Sequence, residues 1–399
     1  MNILILVLAF TFYVLIPGIG AFYVRSQWRR FRKNIISASL SPIVRYNVVR
    51  EGTEGYLGDF RCTGSLEAIQ ENLIWIHSEN ISISVDLFKA FVYILPSFSF
   101  AEKEGKVELN EETLPDEMPR KVSWNRIFSL PEGTKMFVYG PLFLERGRAI
   151  FKMCNRKVVT VVIYDGGEDT ILRRSIWGGR QINEYWNQFT PGSIAAGALS
   201  LFIVAYMLLK SPMLRIQALI SLSLSGLPLS IFLPPGVFLF FLYRSLWRKA
   251  RFFRAERDLL KLPVRYFKDI SDNPDYLSAV IPTGEPYIMK RLAAVDAYRY
   301  HQELKDAKVR TSRLLKQSNR STDDCYIFGV QTPGENGIRI GKPKDPMAEL
   351  LIVPGNPVFL SSKCESKART YELLAAAVFF TGLVINLFIV ISLLALLIK

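Results

Sequence analysis

Histidine is nearly absent: His77 and His301 are the two in a chain of 399 residues. A metal centre or a serine–histidine–aspartate triad needs imidazoles that converge with other groups, so both have little material here. His77 follows Trp75 closely and is read as a turn or sheet-face residue, His301 as a helix-surface residue. Cysteine is scarce too. Cys62, Cys154, Cys325 and Cys364 show no C-x-x-C spacing, which leaves zinc ribbons, RING sites and thioredoxin-like motifs unsupported. Two fall in each candidate soluble domain, where a cytoplasmic setting would keep them reduced. No Gly-rich loop with a following Lys-Ser/Thr occurs, and no G-x-S-x-G elbow. No cofactor, metal ligand or catalytic residue is assigned, and an enzyme is the less favoured class.

Charge is missing only locally. Residues 3–24, 192–209, 216–243 and 373–398 contain no Asp, Glu, Lys or Arg. A helix rising about 1.5 Å per residue covers a hydrocarbon core of about 30 Å with some 20 such residues. Four transmembrane helices are expected, at 1–24, 190–210, 216–243 and 371–398. The third run is long and carries Pro228 and Pro234-Pro235, so a tilt, a kink or a half-helix is an open alternative. A cleaved leader is the rival for residues 1–24. It is disfavoured because the positive charge follows the apolar run instead of preceding it.

Basic residues gather just after two of these runs. Arg25, Arg29, Arg30, Arg32 and Lys33 follow the first, and Arg244, Arg248, Lys249, Arg251, Arg254 and Arg257 follow the third. These collars, at 25–44 and 244–262, place both soluble domains in the cytoplasm by the positive-inside rule. The expected location is the plasma membrane or a cell inner membrane. Much of the net charge of +14 is then topology signal beside anionic headgroups. Membrane lipids are the expected partners, with a protein partner or a second copy of the chain. Nucleic acid is not expected, because basic residues are not spread over a face with stacking aromatics.

A passage occurs twice. Pro17-Gly18 leads to Arg25-Ser26-Gln27-Trp28-Arg29-Arg30, and Pro235-Gly236 leads to Arg244-Ser245-Leu246-Trp247-Arg248-Lys249. Pro42-Ile43-Val44-Arg45-Tyr46 then finds an echo in Pro263-Val264-Arg265-Tyr266. Two echoes in one order predict a duplicated unit: membrane helix, collar, soluble domain, membrane helix.

The first soluble domain, 45–188, reads as mainly β, a small OB-like barrel or sandwich of seven short strands. Strands are expected over Gly58–Ile69, Leu73–Val85 with a break near His77, Phe88–Leu95, Val122–Phe128, Lys135–Tyr139, Arg148–Phe151 and Val158–Tyr164. Glu145-Arg146-Gly147-Arg148 supplies a hairpin turn. Residues 102–121 are acidic and proline-bearing and are read as an exposed loop, alternatively a docking segment. The second domain, 263–370, reads as α+β. A long helix is expected over 291–317, with strands at Tyr326–Val330, Gly337–Ile340 and Glu349–Val353.

The candidate functional residues are of two kinds. Arg25, Trp28, Arg29, Arg30, Trp177, Trp186, Arg244, Trp247, Arg248 and Lys249 are assigned to the membrane interface, where aromatic and cationic side chains anchor helices. Asp165-Gly166-Gly167-Glu168-Asp169 places three carboxylates around a turn, a pattern that suits an ordinary turn and, less well, a hard cation. No Asp, Glu, Lys, Arg or His lies inside the four runs, which lowers the odds of an ion-coupled carrier. Ser221, Ser223, Ser225 and Asn386 are read as helix-packing positions, with a substrate path as the alternative.

The layout of helix, β-domain and helix resembles the membrane-adjacent domain of the GIDE family, known from a mitochondrial ubiquitin ligase. Gly133–Tyr164 carries the likeness: Glu132-Gly133-Thr134-Lys135 opens a hairpin that an apolar strand closes. The resemblance implies a membrane-adjacent β-fold. It does not imply ligase activity, because the RING cysteines are missing. Three functions are carried forward: assembly or partner recruitment at a membrane, transport or lipid handling, and an enzyme acting on a membrane-surface substrate.

Overall fold

The structure, a computed structural model, describes residues 2–97, 117–123, 129–179, 183–267, 275–293, 325–334 and 337–397. The chain forms two compact units. Met1–Arg30, Gln181–Arg254 and Glu365–Lys399 make the first, and Phe31–Arg180 with Ala255–Cys364 the second.

The first unit is helical. Helix α1 (Asn2–Phe10) runs through a π turn (Thr11–Leu15) into α2 (Ile16–Leu40), whose last residues belong to the second unit. Pro17 causes the irregularity: it brings no N–H to the carbonyl four residues earlier, that of Tyr13. The Tyr185 hydroxyl donates to that carbonyl, and Asn187 Nδ2 donates to the Pro17 carbonyl at 3.0 Å. Backbone groups freed within an apolar helix need such partners. Gly20 makes the room, since a Cβ there would lie 2.3 Å from Asn187 Oδ1.

Helices α5 (Thr190–Leu209) and α6 (Arg215–Gly226) form a hairpin against α1. Ile5, Ala9, Leu201, Leu208, Ala218 and Leu224 are their shared core. Ser221 is buried and donates to the Leu201 carbonyl at 2.7 Å, while Ser223 and Ser225 bond within their own helix. The Ser221 bond links two helices, the packing role expected of the serines; those of Ser223 and Ser225 do not. The third apolar run is broken. A 3₁₀ segment (Leu227–Phe232) follows α6, and α7 (Pro234–Val264) starts afresh at Pro234. Two successive prolines suit a helix start and cannot continue a helix before them. The run at 216–243 is broken, one of the alternatives left open above: the apolar hairpin arm is Pro212–Ser230, and residues 234–243 open α7. Helix α8 (Pro357–Leu397) runs antiparallel to α7, with Leu239 against Gly382, Tyr243 against Phe379 and Phe253 stacked on Tyr371. Four stretches are long and apolar enough to cross a membrane: Asn2–Leu40, Thr190–Leu209, Pro212–Ser230 and Pro357–Leu396. Less than a third of each apolar window is buried in protein, which leaves wide apolar faces uncovered. Both collars are parts of helices, α2 and α7, instead of linkers.

The second unit holds two β-lobes. In the first, β1 (Gly55–Gln70) bends and serves two partners, β6 (Lys135–Glu145) and β2 (Leu73–Ser78), with register irregularities near Tyr56 and Leu66. Strand β2 pairs with β3 (Ile81–Asp86), β3 lies parallel to β7 (Arg148–Phe151), and β7 returns to β6 through a turn at Arg146-Gly147. The path β1-β2-β3-β7-β6-β1 is thus a closed ring of five strands. Ile74, Ile76, Ile83, Val85, Val138, Leu142 and Phe151 fill it, each worth about 1.5–3 kcal/mol of burial. Strands β8 (Thr160–Ile163), β4 (Phe91–Ile94) and β5 (Arg120–Val122) extend the sheet beyond β6. Eight strands replace the seven expected. A short helix α3 (Tyr46–Glu51) precedes β1, and α4 (Ile171–Trp177) follows β8, neither foreseen.

The second lobe orders its strands β12-β11-β10-β9, with β13 beside β11: β9 (Tyr276–Val280), β10 (Pro286–Leu292), β11 (Cys325–Gly334), β12 (Gly337–Gly341) and β13 (Leu351–Pro354). Arg291 and Leu292, expected at a helix start, end a strand, because Leu292 joins the core with Ile288, Ile327 and Ile352. The remainder of the expected helix, residues 294–317, lies outside the described residues with His301. So do most of the acidic stretch 102–121 and residues 124–128.

Strands β6 and β11 have matching surroundings. One edge of β6 is taken by β1. On the other, β8 covers Met136–Tyr139 and β7 covers Leu142–Glu145. One edge of β11 is taken by β10; on the other, β13 covers Cys325–Phe328 and β12 covers Val330–Gly334. A glycine stands at each junction. A Cβ on Gly140 would lie 3.0 Å from Val159 Cα, and one on Gly329 would lie 2.8 Å from Leu350 and from the Gly341 carbonyl. Val159 immediately precedes β8, as Leu350 precedes β13. In both lobes the chain entering the last strand crosses close over the central one, and only glycine leaves the space.

Candidate functional site

The acidic turn does not gather its carboxylates. Gly166 adopts a positive φ of 78° and turns the chain out of β8 into a 3₁₀ segment (Glu168–Thr170) and α4. Glu168 and Asp169 occupy that first turn, where N–H groups favour negative charge. Each acid has a separate partner. Asp165 accepts from Arg174 at 2.6 Å, Glu168 from Thr63 at 3.2 Å, and Asp169 faces Lys342 at 3.7 Å. Among the described residues no group of three His, Cys, Asp or Glu side chains is arranged to hold a metal ion. Arg174 is the centre of this corner. It is 1 % exposed and donates also to the Asp165 and Pro96 carbonyls, so it ties α4, β8 and the end of β4 together.

The second polar constellation joins the two lobes through the residues between β12 and β13. Asp345 is fully buried and pairs with Arg61 of β1, itself 2 % exposed. Arg61 Nε donates to the Ser41 carbonyl at 3.0 Å, and Asp345 Oδ1 accepts the Met347 N–H at 2.9 Å. Nearby, Arg173 of α4 pairs with Glu349, and Arg45 donates to the Thr283 carbonyl at 3.1 Å. Arg265 and Tyr266, the residues of the second echo, both donate to the Met347 carbonyl. Burial pushes the pKa of Tyr266 up, and that of Tyr287 well up, so both stay neutral donors. The seam supplies braces; among the described residues it has no nucleophile beside a base.

The third constellation is the collar in the helical unit. Trp28 is buried, Arg25 and Trp247 half-buried, and Arg29, Arg30, Arg244, Arg248 and Lys249 exposed. Trp186 is 64 % exposed before α5. Trp177 is corrected: at 3 % exposure it packs inside the second unit on α4, and its ring is not offered to lipid. Arg251 lies over the Trp247 ring at 4.3 Å and donates to Glu184 at 3.4 Å, while Arg254 donates to Glu372. The carboxylates Glu184 and Glu372, like Arg61, Asp345, Arg173, Arg174 and Glu349, escaped the sequence reading. The repeated spacing Arg25/Arg29 and Arg244/Arg248/Arg251, one helical face, was the available signal for the arginines. No protein-family model, curated protein or solved structure matches this chain. The class rests on the molecule itself, with four helices compatible with a membrane and a separate β-rich unit.

Proposed function

We propose that this is a multi-pass membrane protein whose two β-lobes arose by duplication and act as one braced platform for assembly or partner recruitment. The buried Arg61–Asp345 pair carries this reading. A desolvated ion pair across two lobes stabilises little by itself, but it fixes one arrangement, as a platform requires. The matched registers around β6 and β11, with Gly140 and Gly329 at equivalent positions, support the duplication. The closed ring supports an OB-like assignment for the first lobe. On this reading both lobes are cytoplasmic, the GIDE-like portion lends its β-fold and no ligase activity, and the partner is a protein or a second copy of the chain.

Reporter fusions after Asn110, Pro212 and Arg310 test the topology. The first and third should report cytoplasm and the second the opposite side. Light scattering of the detergent-solubilised chain then tests recruitment: a homo-oligomer or a stoichiometric complex is expected, and a partnerless monomer rejects it. Transport or lipid handling keeps one specific observation, the helix break at Leu227–Leu233, and flux no greater than in empty vesicles would remove it. The enzyme reading loses its best cluster, because Asp165, Glu168 and Asp169 are each engaged apart.

A further inference from the structure

We propose that the collar around Arg251 is a binding site for the phosphodiester of an anionic headgroup. Arg251 pairs with Glu184 and Arg254 with Glu372, and the charge of Arg25 also acts on Arg251. The group therefore holds one positive charge in excess. Arg251 is only 6 % exposed, so water screens that excess poorly. The Nε atoms of Arg251 and Arg254 are buried and have no hydrogen-bond acceptor, so each guanidinium has a donor to spare. Burial holds Arg251 below the usual arginine pKa; Glu184 and Glu372 counter this, while Arg254 and Arg25 add to it. One oxyanion bearing a single charge would answer both deficits, and guanidinium groups match phosphate oxygens in geometry.

The surroundings select the headgroup. The site follows the apolar opening of α7 and sits among Tyr243, Trp247 and Tyr371, the ring types of a membrane–water boundary. A choline headgroup would need an open aromatic face for its quaternary ammonium. Here the rings are covered by the protein's own cations: Arg251 over Trp247, Lys249 over Tyr371 at 5.9 Å and Lys367 over Phe253 at 5.4 Å. A headgroup with phosphate and no cation, such as phosphatidylglycerol, fits; phosphatidylcholine brings a repelled charge.

The inference rests on the helical unit lying in a membrane, which the reporter fusions test separately. Native mass spectrometry of the full chain, released from micelles doped with phosphatidylglycerol or phosphatidylcholine, reads retained lipid directly. Preferential retention of phosphatidylglycerol is expected. Arg25→Gln should reduce it about fivefold, as should Arg251→Gln. Arg215→Gln, away from the collar, should leave it unchanged. Arg25 makes no bond to Glu184 or Glu372, so its variant keeps the test valid if Arg251→Gln misfolds. Competition by inorganic phosphate at equal effect would assign the same chemistry to a soluble phosphate. Equal retention of both lipids, or wild-type retention by Arg25→Gln, overturns the site.

Discussion

The two β-lobes place three equivalent strands around a central one, yet only the first lobe closes. Strand β6 is enclosed because β1 bends away to β2 and the path returns through β3 and β7. Strand β11 has no such detour: β10 leads to β9, and the described sheet ends at β9 and β12. Open edges and a smaller core make a lobe depend on what it leans against. The second lobe leans on the first through residues 342–349, where Asp345 reaches Arg61 and Glu349 reaches Arg173. The difference teaches that equivalent strand pairing does not give equivalent autonomy; the second lobe draws stability from the seam.

The sharpest way to break this comparison is Asp345→Ala. It leaves the Arg61 guanidinium buried without its counter-charge, at a cost of about 3–5 kcal/mol. Denaturant unfolding of the solubilised chain should show the loss, with proteolysis appearing first between β9 and β13. Replacing both partners, Arg61→Met with Asp345→Leu, should recover part of it, since the unpaired charge is gone but the Ser41 carbonyl and the Met347 N–H lose their partners. Full stability in Asp345→Ala alone would mean that the lobes do not need the brace.

How far the sequence foretold this architecture depends on the range of each interaction. Uncharged runs announced the long apolar helices, because a run of some 20 residues without charge leaves every residue voting for one. Arg146-Gly147 announced its hairpin, because the turn needs positive φ at adjacent positions. Pro234 ended the third run one helix earlier than hydropathy implied, a case where one backbone lacking an N–H outranks many apolar side chains. Arg61 and Asp345 were illegible, being 284 positions apart and ordinary in composition. Arg174 looked like any surface arginine until α4, too short to show a period, turned it inward. The collar arginines were legible as a charge run; Glu184 and Glu372 gave no local sign of joining them.

Alkali offers a way to load the first lobe through a single thiol. Burial pushes the Cys62 thiol from its ordinary 9.0 up to about 11. Below pH 9 both folded and unfolded chains hold the proton, so stability is flat. Between 9 and about 11 the unfolded chain loses it and the folded one does not, so stability falls as pH rises. The shift corresponds to about 2–3 kcal/mol. Cys62→Ala should flatten that part of the profile, whereas buried Tyr266 and Tyr287 should keep a slope of their own at the second lobe. A profile identical in the variant would place the thiol in a wetter setting.

The two junction glycines sharpen the comparison on a finer scale. Added methyl groups in packed sites cost about 1–3 kcal/mol. Gly329→Ala should lie at the upper end, since Gly341 carbonyl and Leu350 both stand within 2.8 Å and Ile340 at 2.6 Å. Gly140→Ala meets one neighbour, Val159 at 3.0 Å, so the clash part of its cost should be smaller, while its φ of 159° adds backbone strain. Equal or reversed losses in thermal unfolding, once that strain is allowed for, would deny that the crossing is tighter in the open lobe.

Lys342→Ala sets the lower bound of the seam. Lys342 faces Asp169 at 3.7 Å with about half of its side chain in solvent, 51 % exposed against 21 % for the acid. Exposed pairs contribute about 0–1 kcal/mol, because water already screens both charges and the lysine stem loses freedom in holding one pose. Removing it should leave the unfolding midpoint within error at moderate salt, with any small loss disappearing as salt rises. A loss rivalling that of Asp345→Ala would shift the brace from the buried pair to the rim, and the second lobe's dependence would then be a matter of surface charge instead of desolvated geometry.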